Sequence, residues 1–302
     1  MMNGNSKQAV LERIYQATLT GNFHAKVEND PYLSPQESKT LVNAFWQNKH
    51  SWQGHYRNLL ARWFANQASA WLNRQTEYVG LNNLRAIHSG AIITSNHFNP
   101  LENTAVRQAI RQVGHQRLFI VSQDTNLADR GLIRYLFWNY DILPIISSYP
   151  SIDYMGRTFP QYLKNVLQEG HWILIYPEQE MWFNYRKPRP LQRGAYYYAA
   201  TNNVPIISCF VEIKTTSQIK NVEFYQTKYR VHILPPIYPD PQLSPKENSL
   251  RMRDRDYQQK KQAYEAAYHE PLTYTWEAND IAGWRGQPLA PLSYQDESIG
   301  VN

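Results

Sequence analysis

From Tyr78 onward, short apolar runs alternate with amphipathic segments, and this alternation limits the available folds more than any other feature. Runs over Gly90–Asn96, Arg117–Ser122, Asp141–Ile146, Trp172–Tyr176, Val204–Ile213 and Tyr229–Leu234 read as strands. Helical periodicity falls between them, at Pro100–Val113, Leu127–Asn139, Arg157–Gln168 and Gln192–Asn202. Strand and helix in turn imply crossover connections. The expected fold is therefore α/β, a central mainly parallel sheet flanked by helices, with an N-terminal helical segment. At 302 residues the chain can bury one sizeable α/β core. We divide it into a helical, membrane-contacting segment at 1–75, an α/β domain at 76–240, and a C-terminal helix and tail at 241–302.

In the first segment Tyr56, Leu60, Trp63, Phe64 and Trp71 recur at helical spacing on one broad face, with Arg57, Arg62 and Arg74 elsewhere. Two readings stay open. The face packs on the α/β domain, or it lies in a membrane interface with the arginines on anionic phosphates. In the last segment a charged helix is expected over Lys246–Tyr268, and Arg251, Arg253, Arg255, Lys260 and Lys261 read first as a solvated face.

Composition narrows the classes further. No apolar window approaches the roughly 18 residues of a membrane-spanning helix, and Met1 to Lys26 lacks a signal-peptide core. Cys209 is the single cysteine, which excludes an internal disulfide, and no Cys/His cluster suggests zinc. These features favour the cytoplasm. A net charge of +6 admits anionic partners, and 14% aromatic residues favour a membrane surface over nucleic acid. A nucleic-acid binder would spread cations and stacking aromatics along one face; here the aromatics keep helix-core spacing.

The chemistry concentrates at Ala91-Ile92-Ile93-Thr94-Ser95-Asn96-His97-Phe98-Asn99-Pro100-Leu101-Glu102. An apolar strand runs into a polar turn, and Asn99-Pro100 reads as a helix start with Pro100 in the first helical position. His97 would then lie at the C-terminal end of a strand, where open α/β sheets place their ligands. Glu102, five residues on, can orient one ring nitrogen while the other accepts a proton. A solvated loop pair has the same spacing. The apolar run Trp172–Ile175 delivers Tyr176-Pro177-Glu178 to the same sheet edge if the two strands are parallel.

Asn96-His97 with Glu102 resembles the first motif of the lysophospholipid (glycerolipid) acyltransferase family, NH-x4-D, with Glu in place of Asp. Tyr176-Pro177-Glu178 is similar to the start of the third motif, F-P-E-G-x-R, although Gln179 replaces the Gly and Met181 the Arg. Arg193-Gly194-Ala195 followed by Val204-Pro205-Ile206-Ile207 resembles the family's later helix and V-P-[IV]-x strand. The second motif, G-x-x-F-I-x-R, should fall at Asp141–Ser147, where only the apolar core matches and Ser147 replaces the Arg. The resemblance spans roughly residues 78–240, with its four blocks in order.

The resemblance implies an O-acyltransferase. His97 would act as general base on a lipid hydroxyl and Glu102 would orient it. No G-x-S-x-G nucleophile elbow suggests an acyl-enzyme. Substrate contacts are expected at Asn96, Pro177, Glu178, Arg186, Lys187, Arg189, Arg193 and Pro205. The four cations stand in for the two missing motif arginines, or they form a solvated surface loop. No bound cofactor and no metal is expected; acyl-CoA or acyl carrier protein is the acyl donor. The expected partners are an anionic membrane surface and a lysophospholipid acceptor such as 1-acylglycerol-3-phosphate. The location implied is peripheral, on the inner face of the cell membrane. A neutral lyso-glycolipid acceptor and a non-catalytic lipid-binding role are the alternatives.

Overall fold

The computed structural model describes residues 7–29, 31–114, 117–129, 131–146 and 153–289. Three helices come first: α1 (Lys7–Leu19), α2 (Pro35–His50) and α3 (Trp52–Leu72). Then follow β1 (Glu77–Val79), α4 (Leu81–Arg85), β2 (Ala91–Thr94), α5 (Asn103–Gln112), β3 (Leu118–Gln123), α6 (Gly131–Asn139) and β4 (Ile142–Ile145). The chain continues through α7 (Phe159–Gln168), β5 (Trp172–Ile175), α8 (Gly194–Thr201), β6 (Ile206–Ile219), β7 (Tyr225–Ile233) and α9 (Pro245–Tyr268).

The seven strands form one sheet in the order β1-β7-β6-β2-β5-β3-β4. β2 to β6 run parallel, and β7 turns back antiparallel to β6 and carries β1 parallel to itself. The expected α/β architecture is the observed one. β2 lies at the centre with all four residues buried, and Ile92, Ile93, Ile173, Leu174, Ile206 and Ile207 join one continuous core. A second, smaller core lies apart from the sheet centre. There Val10, Leu11 and Ile14 of α1 meet Trp182, Phe183, Phe224 and Ile281.

Several boundaries move, each for a local reason. β1 was not expected: it is three residues long on the sheet edge and mostly exposed, so no apolar run marks it. β6 continues to Ile219 because the residues after Ile213 leave the doubly covered core and form a hairpin with β7, where burial alternates. Ahead of α6 a 3₁₀ turn occupies Asp124–Ala128. α5 begins at Asn103, and Pro100 sits in the preceding turn, where the Asn99 Oδ1 accepts from Leu101 N at 3.0 Å. Within the second-motif stretch the apolar core forms β4, while Ser147 lies outside the described residues.

α3 resolves its open reading. The side that packs on the fold is narrow and small, made of Gly54, Asn58, Ala61 and Ser69. A Cβ on Gly54 would come within 1.8 Å of the Asn48 carbonyl oxygen, so glycine sets how closely α2 and α3 approach. Tyr56, Leu60, Trp63, Phe64 and Trp71 instead face outward, which excludes the reading in which they pack on the α/β domain. No helix among the described residues is long and apolar enough to cross a membrane.

α9 departs from the solvated face expected of it. Ser244 and Glu247 cap its start reciprocally, and Arg251 and Arg255 are exposed. Lys260, however, is fully buried. Its ammonium donates to Thr94 Oγ1 (2.9 Å), Ser208 Oγ (3.0 Å) and the carboxylate of Asp256. Asp256 in turn accepts from Thr94 Oγ1 at 2.6 Å, from the Tyr196 hydroxyl at 2.5 Å and from Ser208. Three donors meet three acceptors, and both carboxylate oxygens are occupied. A buried ion pair survives desolvation only with this kind of satisfaction. The network ties α9 to the end of β2, three residues before His97.

Candidate active site

The site lies where β2 and β5 end. Their parallel register pairs Thr94 with Ile175, so His97 and Glu178, each three residues further, emerge side by side. The His97 N–H donates to Glu178 Oε2 at 3.1 Å. Neighbouring chain holds the turn on every side. The His97 carbonyl accepts from Trp182 N (3.0 Å) and the Phe98 carbonyl from Asn184 N (2.8 Å). Asn96 exchanges bonds with Val211 of β6, its amide donating at 3.1 Å and its Oδ1 accepting at 2.8 Å.

Glu102 is buried within this turn at 1% exposure. Its Oε1 is hydrogen-bonded to His97 Nδ1, and its Oε2 accepts from the N–H groups of Phe98 (2.5 Å) and Asn99 (2.8 Å). A carboxylate gripped by two backbone amides cannot turn away. It fixes the tautomer with the proton on Nδ1 and leaves Nε2 as the acceptor nitrogen. The His97 side chain is 22% exposed, so the pair is neither loop-solvated nor sealed in hydrocarbon. Tyr176 stacks on the imidazole with centroids 4.1 Å apart and planes at 11°. Burial, helped by the charge of Glu102, holds the Tyr176 hydroxyl well above its ordinary value, so the ring platform is neutral. Tyr176 matches the first position of the third motif, but its stacking on His97 is not legible there; an aromatic directly after a strand parallel to β2 is the available signal.

The remaining expected contacts fall into two groups. Asn96, Pro177 and Pro205 are buried, and their polar groups serve the backbone: Pro177 O accepts from Gln192 N (2.8 Å) and Pro205 O from Ile92 N (3.0 Å). Glu178 meets the turn, yet its carboxylate is 2% exposed and faces Arg189, which is itself buried. Oε2 accepts from Arg189 Nε (3.2 Å) and Nη2 (3.0 Å), and Oε1 from Arg189 N (3.0 Å). Arg189 also reaches the carbonyls of Phe23 and Glu180. Lys187 pairs with Asp280 at 2.8 Å and Arg186 with Glu270 at 3.2 Å. Arg193 alone of the four is exposed with no carboxylate partner among the described residues. The expected solvated or phosphate-holding loop is thus mostly an internal brace, because partners from distant chain segments neutralise its cations.

The family's third-motif glycine also has a physical counterpart here. Gln179 adopts φ +67°, the left-handed region that favours glycine, and carries the associated strain. All three amides of the turn at 97–99 already serve Glu178 or Glu102, so an oxyanion donor must come from elsewhere.

Fold and site define an α/β enzyme with a carboxylate-oriented imidazole at the C-terminal edge of its central parallel strand. Residues 75–212, a little under half of the chain, match the acyltransferase family model. Among solved structures it is similar to the 1-acyl-sn-glycerophosphate (LPA) acyltransferase PlsC from Thermotoga maritima, at 14% identity and a TM-score of 0.47, over 88% of this chain and 98% of that one. No curated protein shows significant similarity to the chain.

Proposed function

We propose that the enzyme moves a fatty acyl group from a thioester donor to a hydroxyl of a lysophospholipid such as 1-acylglycerol-3-phosphate. His97 Nε2 takes the hydroxyl proton while Glu102 stabilises the imidazolium that forms. The acceptor oxygen attacks the thioester carbonyl carbon, the C–S bond breaks, and the departing thiolate takes the proton back from the imidazolium. No acyl-enzyme is required. The donor is acyl-CoA or acyl carrier protein, and no bound cofactor takes part. The observation that carries this reading is the buried Glu102 on Nδ1, which leaves Nε2 as the one basic ring nitrogen.

The outward aromatic face of α3 supports work at an anionic membrane surface, with 1–75 as the contacting segment, 76–240 as the catalytic domain, and 241–302 packed on it. Amphipathic aromatics sit stably at the headgroup boundary. This makes the enzyme peripheral, on the inner face of the cell membrane.

One observation favours a second acceptor class. With Arg186, Lys187 and Arg189 paired internally, Arg193 is the single exposed cation of the motif loop left to meet an acceptor phosphate. A neutral lyso-glycolipid would need none. Thiol release from an acyl thioester, followed with lysophosphatidate and with a monoacylated glycolipid, tests both. Release that requires the lysophosphatidate and disappears in His97→Gln supports the main reading. Equal turnover of the two acceptors moves the assignment to the neutral class, and release independent of any acceptor overturns hydroxyl transfer.

A further inference from the structure

Several cations of this chain have carboxylate partners: Arg117 pairs with Asp141, Arg230 with Glu77, Arg253 with Asp254, besides the pairs of the motif loop. One groove gathers two cations that do not. A groove of about 440 Å³ opens between the C-terminal end of α2, the first turns of α3, and α6. Arg57 and Arg134 both line it, and no acidic side chain does. Both are exposed, and neither has a carboxylate at ion-pair distance among the described residues. Asn48 and Tyr135 complete the rim, and the Arg134 guanidinium lies 5.4 Å from the centre of the Trp138 ring.

The setting of the groove matters as much as its charge. Eight of the 21 residues of α3 are large apolar side chains left exposed, among them Trp52, Tyr56 and Leu60. Arg57 follows Tyr56 directly and lies one turn from Leu60, so the groove opens along the edge of that face. If the aromatics enter the acyl region, the two guanidiniums come to headgroup depth. Two planar forks without competing carboxylates suit a phosphate oxygen set, which they can bind bidentately. An indole beside them is at home at the same depth.

We propose that this groove holds the phosphate of an anionic phospholipid headgroup when α3 lies in the membrane surface. The site is distinct from the His97 turn and sets which membrane the enzyme prefers. It rests on the membrane-docking reading above.

Sedimentation of the full chain with phosphatidylcholine vesicles, and with vesicles containing phosphatidylglycerol, tests it. Four proteins are compared: wild type, Arg57→Gln/Arg134→Gln, Arg57→Lys/Arg134→Lys, and Trp63→Ser/Phe64→Ser, each checked for an unchanged melting temperature. At about fivefold per guanidinium the pair should give wild type about a 25-fold preference for the anionic vesicles. The Gln pair should fall to its own phosphatidylcholine level. The Lys pair, which keeps charge but loses the forks, should keep less of the preference than wild type. The Trp/Phe pair should lose binding to both vesicle types.

A Lys pair that keeps the wild-type preference would mean diffuse charge and overturn the groove alone, as would a Gln pair that keeps it. Wild type that binds neither vesicle overturns the docking reading and the groove together. Inorganic phosphate raising the melting temperature of wild type, but not of the Gln pair, without vesicles would reassign the groove to a soluble phosphate.

Discussion

Among the described residues two hydrogen-bonded His–Glu pairs lie in the sheet region, and they differ in their surroundings. His97 meets Glu102 beyond the end of β2; His232 meets Glu212 at 2.8 Å on neighbouring strands β7 and β6. Glu102 gives its second oxygen to two backbone amides and has no competing cation at ion-pair distance among the described residues. Glu212 also faces Lys214 and Arg230, each at 3.8 Å, and those two share Glu77 as well. A carboxylate shared with two cations cannot be dedicated to an imidazole. His232 is further pinned within the sheet, between Phe210 and Val79 on the two neighbouring strands. The lesson is that a His–carboxylate contact becomes a candidate base only where the chain leaves the sheet, the acid is held by backbone, and a ring nitrogen stays open.

The largest expected effect tests the first pair. His97→Ala should lower kcat by about 10²–10⁴-fold while circular dichroism stays native. Near-normal turnover would erase the distinction between the pairs. Next comes the brace under the turn, which has no counterpart at His232. Arg189→Met leaves Glu178 buried and unpaired, and urea unfolding should report a loss of about 3–5 kcal/mol. Glu102→Gln should reduce kcat at least about tenfold but less than the His97 deletion, because the base itself remains. A loss equal to that of His97→Ala would mean the carboxylate does more than orient. Gln179→Gly should relieve the left-handed backbone beside Glu178 and add about 0.5–1 kcal/mol in the same unfolding measurement. The smallest effect belongs to the second pair. His232→Ala should leave kcat within about threefold, since no reacting atom loses a partner; a large fall would break the comparison.

Local features were the legible ones. Ala91–Ile93 and Trp172–Leu174 announce buried strands by composition alone, and parallel pairing follows from the helices between them. His97 and Glu102 are five residues apart, so their meeting is a property of one turn. Tyr176 and the buried Lys260–Asp256 pair were harder to read. The first stacks across from another strand, and the second meets Thr94 and Ser208 from far along the chain. On α3 the periodic aromatics were visible, but their direction was not. A helix can bury either stripe, and the close approach at Gly54 selected the narrow one.

By itself the sequence determined the alternating α/β order, the strand–turn unit that presents His97, and an apolar helix face in need of an environment, because each depends on residues within a turn or two of one another. Tertiary structure alone decided which charges are neutralised. The electrostatic role of a cation depends on what lies within a few ångströms, and for Arg189, Lys187 and Lys260 those neighbours come from other elements of the fold. The basic motif loop therefore became a brace, while Arg57 and Arg134, unremarkable in sequence, were left facing an open groove.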